Sequence, residues 1–271
     1  MTPTDNAVVV DTPAPGVTRI TLHRPEVLNA LDHSMTRTLL RVLAEIAVDT
    51  TCRVVVLTGA GRGFCAGLDL RGYGDDDEVQ RQGFPGRTMS RQREIAEIAV
   101  RLHELPQPVI AAVNGPAAGG GLAMVLAADV RIAATEAAFA VGFIRAGFSG
   151  CDIGLSWLLP RVIGAGHAHE LMLTGRRIDA ERAERIGLVT RLVPGADLQD
   201  TALAVAAEIL QNPPLSVEMT KQGMWIALET PSFRASVEFE NRQQVYTAMT
   251  EDRTEAVTAF LEKRPPVYSR R

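Results

Sequence analysis

Apolar and polar positions change rhythm along this chain, and each change marks an element. Residues 8–11 and 17–22 carry short apolar stretches on either side of Pro13-Ala14-Pro15-Gly16, the pattern of a hairpin. Arg24-Pro25 ends the second strand. From 34 to 48, Met35, Leu39, Val42, Leu43 and Ile46 recur at helical spacing, with Ser34 placed to act as N-cap. Residues 53–58 (RVVVLT) read as a buried strand, and the glycine-rich stretch 59–70 follows as a loop. Residues 72–86 are polar, acidic and broken by Gly and Pro, with Asp75-Asp76-Asp77-Glu78 at their centre. They predict a surface loop, with a lid over a site as the alternative. An amphipathic helix is predicted over 88–104.

Residues 109–113 (VIAAV) are β-branched at three of five positions and read as a buried strand. Asn114-Gly115-Pro116 marks a turn, and Gly119-Gly120-Gly121 opens a helix over 122–128. Strands follow at 130–133 and 138–141. Residues 157–163 lead through Gly164-Ala165-Gly166 into a helix ending near 173. Asp179 caps a helix to Ile186, and 188–193 form the last strand. From Asp197 the pattern is wholly helical, near 198–211, 214–228, 232–249 and 252–262. The chain thus divides into an α/β part over 1–196 and a helical region over 197–271. Leu203, Ile209, Leu210, Trp225 and Ile226 make that region too apolar to stand alone.

The strand–glycine–helix unit at 109–128 is the first candidate for chemistry. Three glycines let the backbone take conformations a side chain forbids. They also leave N–H groups unpaired at the positive end of a helix. That suits an anion or a developing oxyanion. Close helix–strand packing alone also explains a glycine triplet, and this stretch does not separate the two.

Composition narrows the partners. The net charge of −4 gives no electrostatic case for binding nucleic acid or an anionic membrane. No uncharged apolar run approaches the ~20 residues of a membrane span, and no signal peptide is read in residues 1–14. Cys52, Cys65 and Cys151 are an odd count without pattern, as expected of reduced thiols in a cytoplasmic protein. Gly59-x-Gly61-x-Gly63 follows a strand, but no helix follows at once and Phe64 occupies the third-glycine position, which argues against a dinucleotide loop. His167-x-His169 points two rings to different sides of a helix, and no metal site is expected.

Five segments together carry a resemblance over essentially the full length. They are 22–31 (LHRPEVLNAL), 63–70 (GFCAGLDL), 113–121 (VNGPAAGGG), 165–175 (AGHAHELMLTG) and 183–189 (AERIGLV). In order and spacing they resemble the crotonase superfamily, the enoyl-CoA hydratase/isomerase family. The resemblance implies an α/β fold, a ββα superhelix with a C-terminal helical trimerisation region that also closes the CoA site. It implies a homotrimer or dimer of trimers and an acyl-CoA thioester as ligand. Coenzyme A then arrives as part of the substrate, with no permanently bound cofactor. The implied oxyanion hole is the pair of backbone N–H groups at Leu68 and Gly120. The implied CoA contacts are Arg24, Val27, Leu28, Ala66, Asp69, Leu70 and Lys263.

The departures bear on the reaction. The two glutamates that activate water in hydratases of this family fall at Ala123 and Phe143 here, and neither can do acid–base work. With Cys151 they are instead expected to line an acyl pocket. Asp152 lies where several relatives place a catalytic aspartate, although matching it takes a one-residue shift. A cap on a helix starting near Ile153 is its other reading. A single base favours double-bond isomerisation. Hydrolysis or C–C cleavage of an acyl-CoA is the enzymatic alternative, and a catalytically silent acyl-CoA binding protein is the alternative from another class. Asp152 facing the pocket favours an enzyme, and Asp152 capping a helix away from it favours the carrier.

Overall fold

The computed structural model describes residues 7–73 and 83–271. The acidic run 75–78 lies outside those residues. Among the described residues nine strands fall in two sheets: β1 (Val8–Ala14), β2 (Val17–Leu22), β3 (Val54–Gly59), β4 (Val109–Val113), β5 (Pro116–Ala118), β6 (Val130–Ala134), β7 (Ala138–Ala140), β8 (Ile178–Asp179) and β9 (Arg191–Val193). The larger sheet has the order β1-β2-β3-β4-β6-β9 and is parallel except for the β1–β2 hairpin. Strands covered on both faces need continuous apolar runs, and all five residues of β4 are buried. The smaller sheet, β5-β7-β8, begins within the expected turn at Asn114-Gly115-Pro116. Its first strand has only three residues, too few and too small to show a β pattern.

The α-helices among the described residues are α1 (His33–Val48), α2 (Phe84–Glu104), α3 (Gly120–Ala127), α4 (Leu155–Thr174), α5 (Ala180–Arg185), α6 (Leu198–Leu210), α7 (Pro214–Glu229), α8 (Phe233–Ala248) and α9 (Glu251–Glu262). One face of the larger sheet carries the main core, built with apolar residues of α1 to α4. Every residue of α3 is buried, as expected for a helix that is apolar all round. The other face is covered by Leu198, Ala202, Val205 and Ala206 of α6. The expected helical region therefore opens with a helix that belongs to the core, and Leu203, Ile209 and Leu210 pack against the same cluster.

Several boundaries move for local reasons. The cap of α1 is Asp32, whose side chain accepts from Met35 N–H at 2.8 Å, so Ser34 lies inside the helix. Helix α2 starts four residues earlier than its periodicity suggested, with Pro85 in the first turn where a missing N–H costs nothing. Gly164, at φ 78°, breaks α4 into two helical pieces. A buried ion pair ties α7 to the sheet. Lys221 Nζ lies 2.9 Å from Asp129 Oδ2, while Asp129 also accepts from Val109 N–H and Trp225 Nε1, each at 2.8 Å.

Candidate active site

Two chain turns meet where β3 and β4 end. After β3, the loop to residue 66 is held by asparagines. Asn29 Nδ2 donates to the carbonyls of Ala60, Gly63 and Phe64, and Asn114 Nδ2 donates to those of Gly61 and Gly63. Asn29 is fully buried at φ 56°, a left-handed conformation that Asn tolerates better than most residues. The loop then crosses the turn before α3. Ala118 N–H donates to Cys65 O at 2.9 Å, and a Cβ on Gly121 would come within 2.1 Å of that same carbonyl. Glycine at 121 is thus required by the approach of two backbones.

This packing sets the two backbone donors side by side. Leu68 bridges Leu31: Leu31 N–H donates to Gly67 O at 2.7 Å and Asp69 N–H to Leu31 O at 2.9 Å. In extended chain the intervening Leu68 N–H points the other way, and it donates to no backbone carbonyl among the described residues. Gly120 is the first residue of α3, and N–H groups of a first turn have no partner within the helix. Gly119 caps it at φ 52°, ψ −117°, a conformation closed to other residues. A Cβ built on Gly120 would lie 4.0 Å from Gly67 Cα, so the two turns are in contact.

A cavity of about 150 Å³ opens beside these turns. It is lined by Ala66, Leu68 and Leu70 of the first turn, Gly119 before α3, Phe143, Asp152 and Ile153, together with Gln92 and Ile95 of α2. Leu31, Gly142, Ala146 and Phe148 complete a largely apolar wall. Among the described residues, Asp152 is the one titratable side chain in that lining.

Asp152 does not cap α4. The helix starts at Leu155, its N-cap is Gly154, and no side chain among the described residues caps it. Asp152 Oδ1 instead accepts from Ile153 N–H at 2.8 Å and from Gln92 Nε2. Burial pushes the Asp152 carboxyl above its ordinary value, and these two hydrogen bonds pull against the rise. Ile153 stands at φ 47°, a strained conformation for a β-branched side chain, and is followed by Gly154 at φ 77°. The strained pair directs the Asp152 side chain to the cavity.

Other expected site residues lie elsewhere. Ala123 is fully buried in α3, and Cys151 is exposed; neither lines the cavity, because α3 turns Ala123 into the core and Cys151 precedes the Ile153–Gly154 bend. Phe143 does line it, with its ring against Gly119. Arg24 is engaged within the protein: it lies 3.1 Å from Asp32 and 3.2 Å from Asp69, and donates to Ala30 O. Hydrogen bonds from Arg71, followed by that from Arg24, hold the Asp69 carboxyl down at about 2. The Arg24–Asp69 pair braces the turn that presents Leu68. Val27 and Leu28 are half-buried in the turn before Asn29, and Lys263 is an exposed C-cap of α9; none of the three is in the lining. Cys65 is fully buried, which pushes its thiol up to about 12 and leaves it a packing residue.

Gln92, Ile95, Ala146 and Phe148 carried no signal in the sequence as site residues. The first two sit on an amphipathic helix whose polar positions read as solvated. Gln92 meets Asp152 across a separation of 60 residues.

The family description enoyl-CoA hydratase/isomerase matches residues 13–271. The chain is similar to a Mycobacterium tuberculosis protein named probable enoyl-CoA hydratase EchA12, with 42% identity over 267 residues, 98% of this chain and 94% of that one. It is similar to 1,2-epoxyphenylacetyl-CoA isomerase of Escherichia coli, with 39% identity over 255 residues, 94% and 95% of the two chains. A crystal structure of a probable enoyl-CoA hydratase/isomerase from Mycobacterium abscessus matches with a TM-score of 0.91 and 37% identity, covering 98% of this chain and 99% of that one.

Proposed function

The chain belongs to the enoyl-CoA hydratase/isomerase family and has its crotonase fold, and from that premise we propose that it is an acyl-CoA isomerase working with one carboxylate. The thioester carbonyl sits against the Leu68 and Gly120 N–H groups. Asp152 takes a proton from C2 of a 3-enoyl-CoA. The C2–H electron pair moves to make an enolate, whose oxygen is held by the two donors. Asp152 then returns the proton at C4 as the C2–C3 double bond forms and the carbonyl is restored. No water is consumed and nothing is oxidised. One well-aimed donor at a developing oxyanion is worth about 3 kcal/mol.

The observation that carries this reading is the place of Asp152, the one titratable lining side chain among the described residues, in the cavity that Leu68 and Gly119 also line. Phe143 and Ala123 supply no second carboxylate to activate water. The E. coli relative named as an isomerase supports the same direction. Coenzyme A enters and leaves with the acyl group. Its adenine end rests against the turn from Ala66 to Leu70, near Val27 and Leu28, and Lys263 reaches a phosphate, in the same chain or a neighbouring one. The protein works in the cytoplasm as a homotrimer or dimer of trimers. Phe233, Met249 and Phe260 support association, since each is over 80% exposed on the C-terminal helices.

Rates on two substrates test the reading. Conversion of 3-hexenoyl-CoA to its conjugated isomer is expected to exceed hydration of crotonyl-CoA by about 100-fold or more. Crotonyl-CoA hydration at an equal or greater rate overturns it.

A further inference from the structure

The two oxygens of Asp152 have different surroundings. Oδ1 accepts from Ile153 N–H and from Gln92 Nε2. Oδ2 accepts no hydrogen bond among the described residues. The main chain at this point is also fixed, because Leu155 N–H donates to Asp152 O at 2.8 Å. Gln92 comes from a different element, α2, and it lines the same space as Asp152.

We propose that Gln92 is the positioning residue for Asp152: its amide pins Oδ1 and leaves Oδ2 as the oxygen that takes and returns the substrate proton. The proposal rests on the isomerase reading above for the identity of the proton, and on the structure alone for the contact. The terminal torsion of an aspartate is broad and roughly two-fold. With Ile153 N–H as the sole donor the carboxylate can rotate and exchange its oxygens. A second donor from a different element stops that rotation. An amide donor also favours the ionised carboxylate over the acid, so it opposes the effect of burial.

Among the described residues no other charged side chain lines this cavity. The lining residues from the 66–70 turn, from the turn before α3, from 142–148 and from α2 itself are all neutral among the described residues. His103, Glu104 and Glu229 line a separate cavity behind Ile153 and Gly154. Gln92 is itself exposed at the cavity edge, so its replacement leaves the core intact.

The test follows the Asp152 carboxylate directly by infrared difference titration, its band identified by loss in Asp152→Asn. Gln92→Met keeps the side-chain length and removes the donor. Gln92→Glu keeps the shape and adds a like charge. The titration midpoint is expected to rise by about one pH unit in Gln92→Met and further in Gln92→Glu. On 3-hexenoyl-CoA, Gln92→Met is expected to lower kcat about tenfold with KM changed less than twofold. Unchanged midpoints in both variants overturn the proposal, whatever the turnover. Raised midpoints together with a wild type inactive on 3-hexenoyl-CoA support the contact and overturn the isomerase reading instead.

Discussion

Two aspartates at this site show how surroundings divide one residue type into two roles. Asp69 is buried against Arg24 and Arg71, and its carboxyl is held at about 2. Asp152 lies among apolar side chains and is pushed up by burial. The first stays charged and braces a turn; the second has its proton held more tightly, which the proposed proton transfer requires. The depressed Asp69 has a definite consequence for stability. Its contribution is present above the unfolded value of about 4 and is lost as pH falls through the folded value. Asp69→Asn is therefore expected to melt below wild type at pH 7. The gap should close as the pH is lowered from about 4 towards 2, and thermal melts across that range check it. Neither role was legible in the sequence without the family resemblance. Asp152 competed with a helix cap, and the helix turned out to start at Leu155. Asp69 stands among the CoA contacts that the resemblance implies, and its side chain is committed to ion pairs.

At the scale of elements, the site is a crossing of two turns. The triple glycine was legible as a special backbone, but what it approaches was not, because Cys65 and Gly67 lie some fifty residues earlier. Gly67 shows the coupling. It sits at φ 92°, and a Cβ there would stand 2.8 Å from Ala118 O. Gly67→Ala must relieve both the strained dihedral, about 1–2 kcal/mol, and a backbone clash, and the easiest motion turns the Leu68 N–H away. The variant is expected to melt lower and to lose about 100-fold in kcat, as when one oxyanion donor is removed, while acyl-CoA binding by calorimetry persists. An unchanged kcat would separate Leu68 from the chemistry. Helix starts and short strands were the elements least visible beforehand. Asp32 outcompeted Ser34 as a cap, and β5 and β8 contain three and two residues.

Across the whole molecule, the alternation of strands and helices followed by a helical region was visible in the periodicity, because burial imposes it. The apolar residues of that region divided in an unforeseen way. Leu203, Ile209 and Leu210 pack on the far face of the sheet, and Trp225 packs against the main core and bonds Asp129. The apolar surface that stays exposed comes from other positions, among them Phe233, Met249 and Phe260. The sheet, the second core layer under α6 and the Lys221–Asp129 pair give the two turns a rigid mount, as the proposed reaction of a single carboxylate against fixed donors requires. The most direct measurement is single-turnover kinetics of Asp152→Asn on 3-hexenoyl-CoA, with acyl-CoA affinity and melting temperature recorded beside it. Asn keeps the shape and the acceptor for Ile153 N–H but cannot take the proton. The rate is expected to fall by about 10²–10⁴-fold with affinity unchanged. At neutral pH the melting temperature should equal or exceed wild type, since a buried carboxylate whose value is raised costs stability once ionised. A variant that binds, melts and turns over like wild type would contradict catalysis by Asp152.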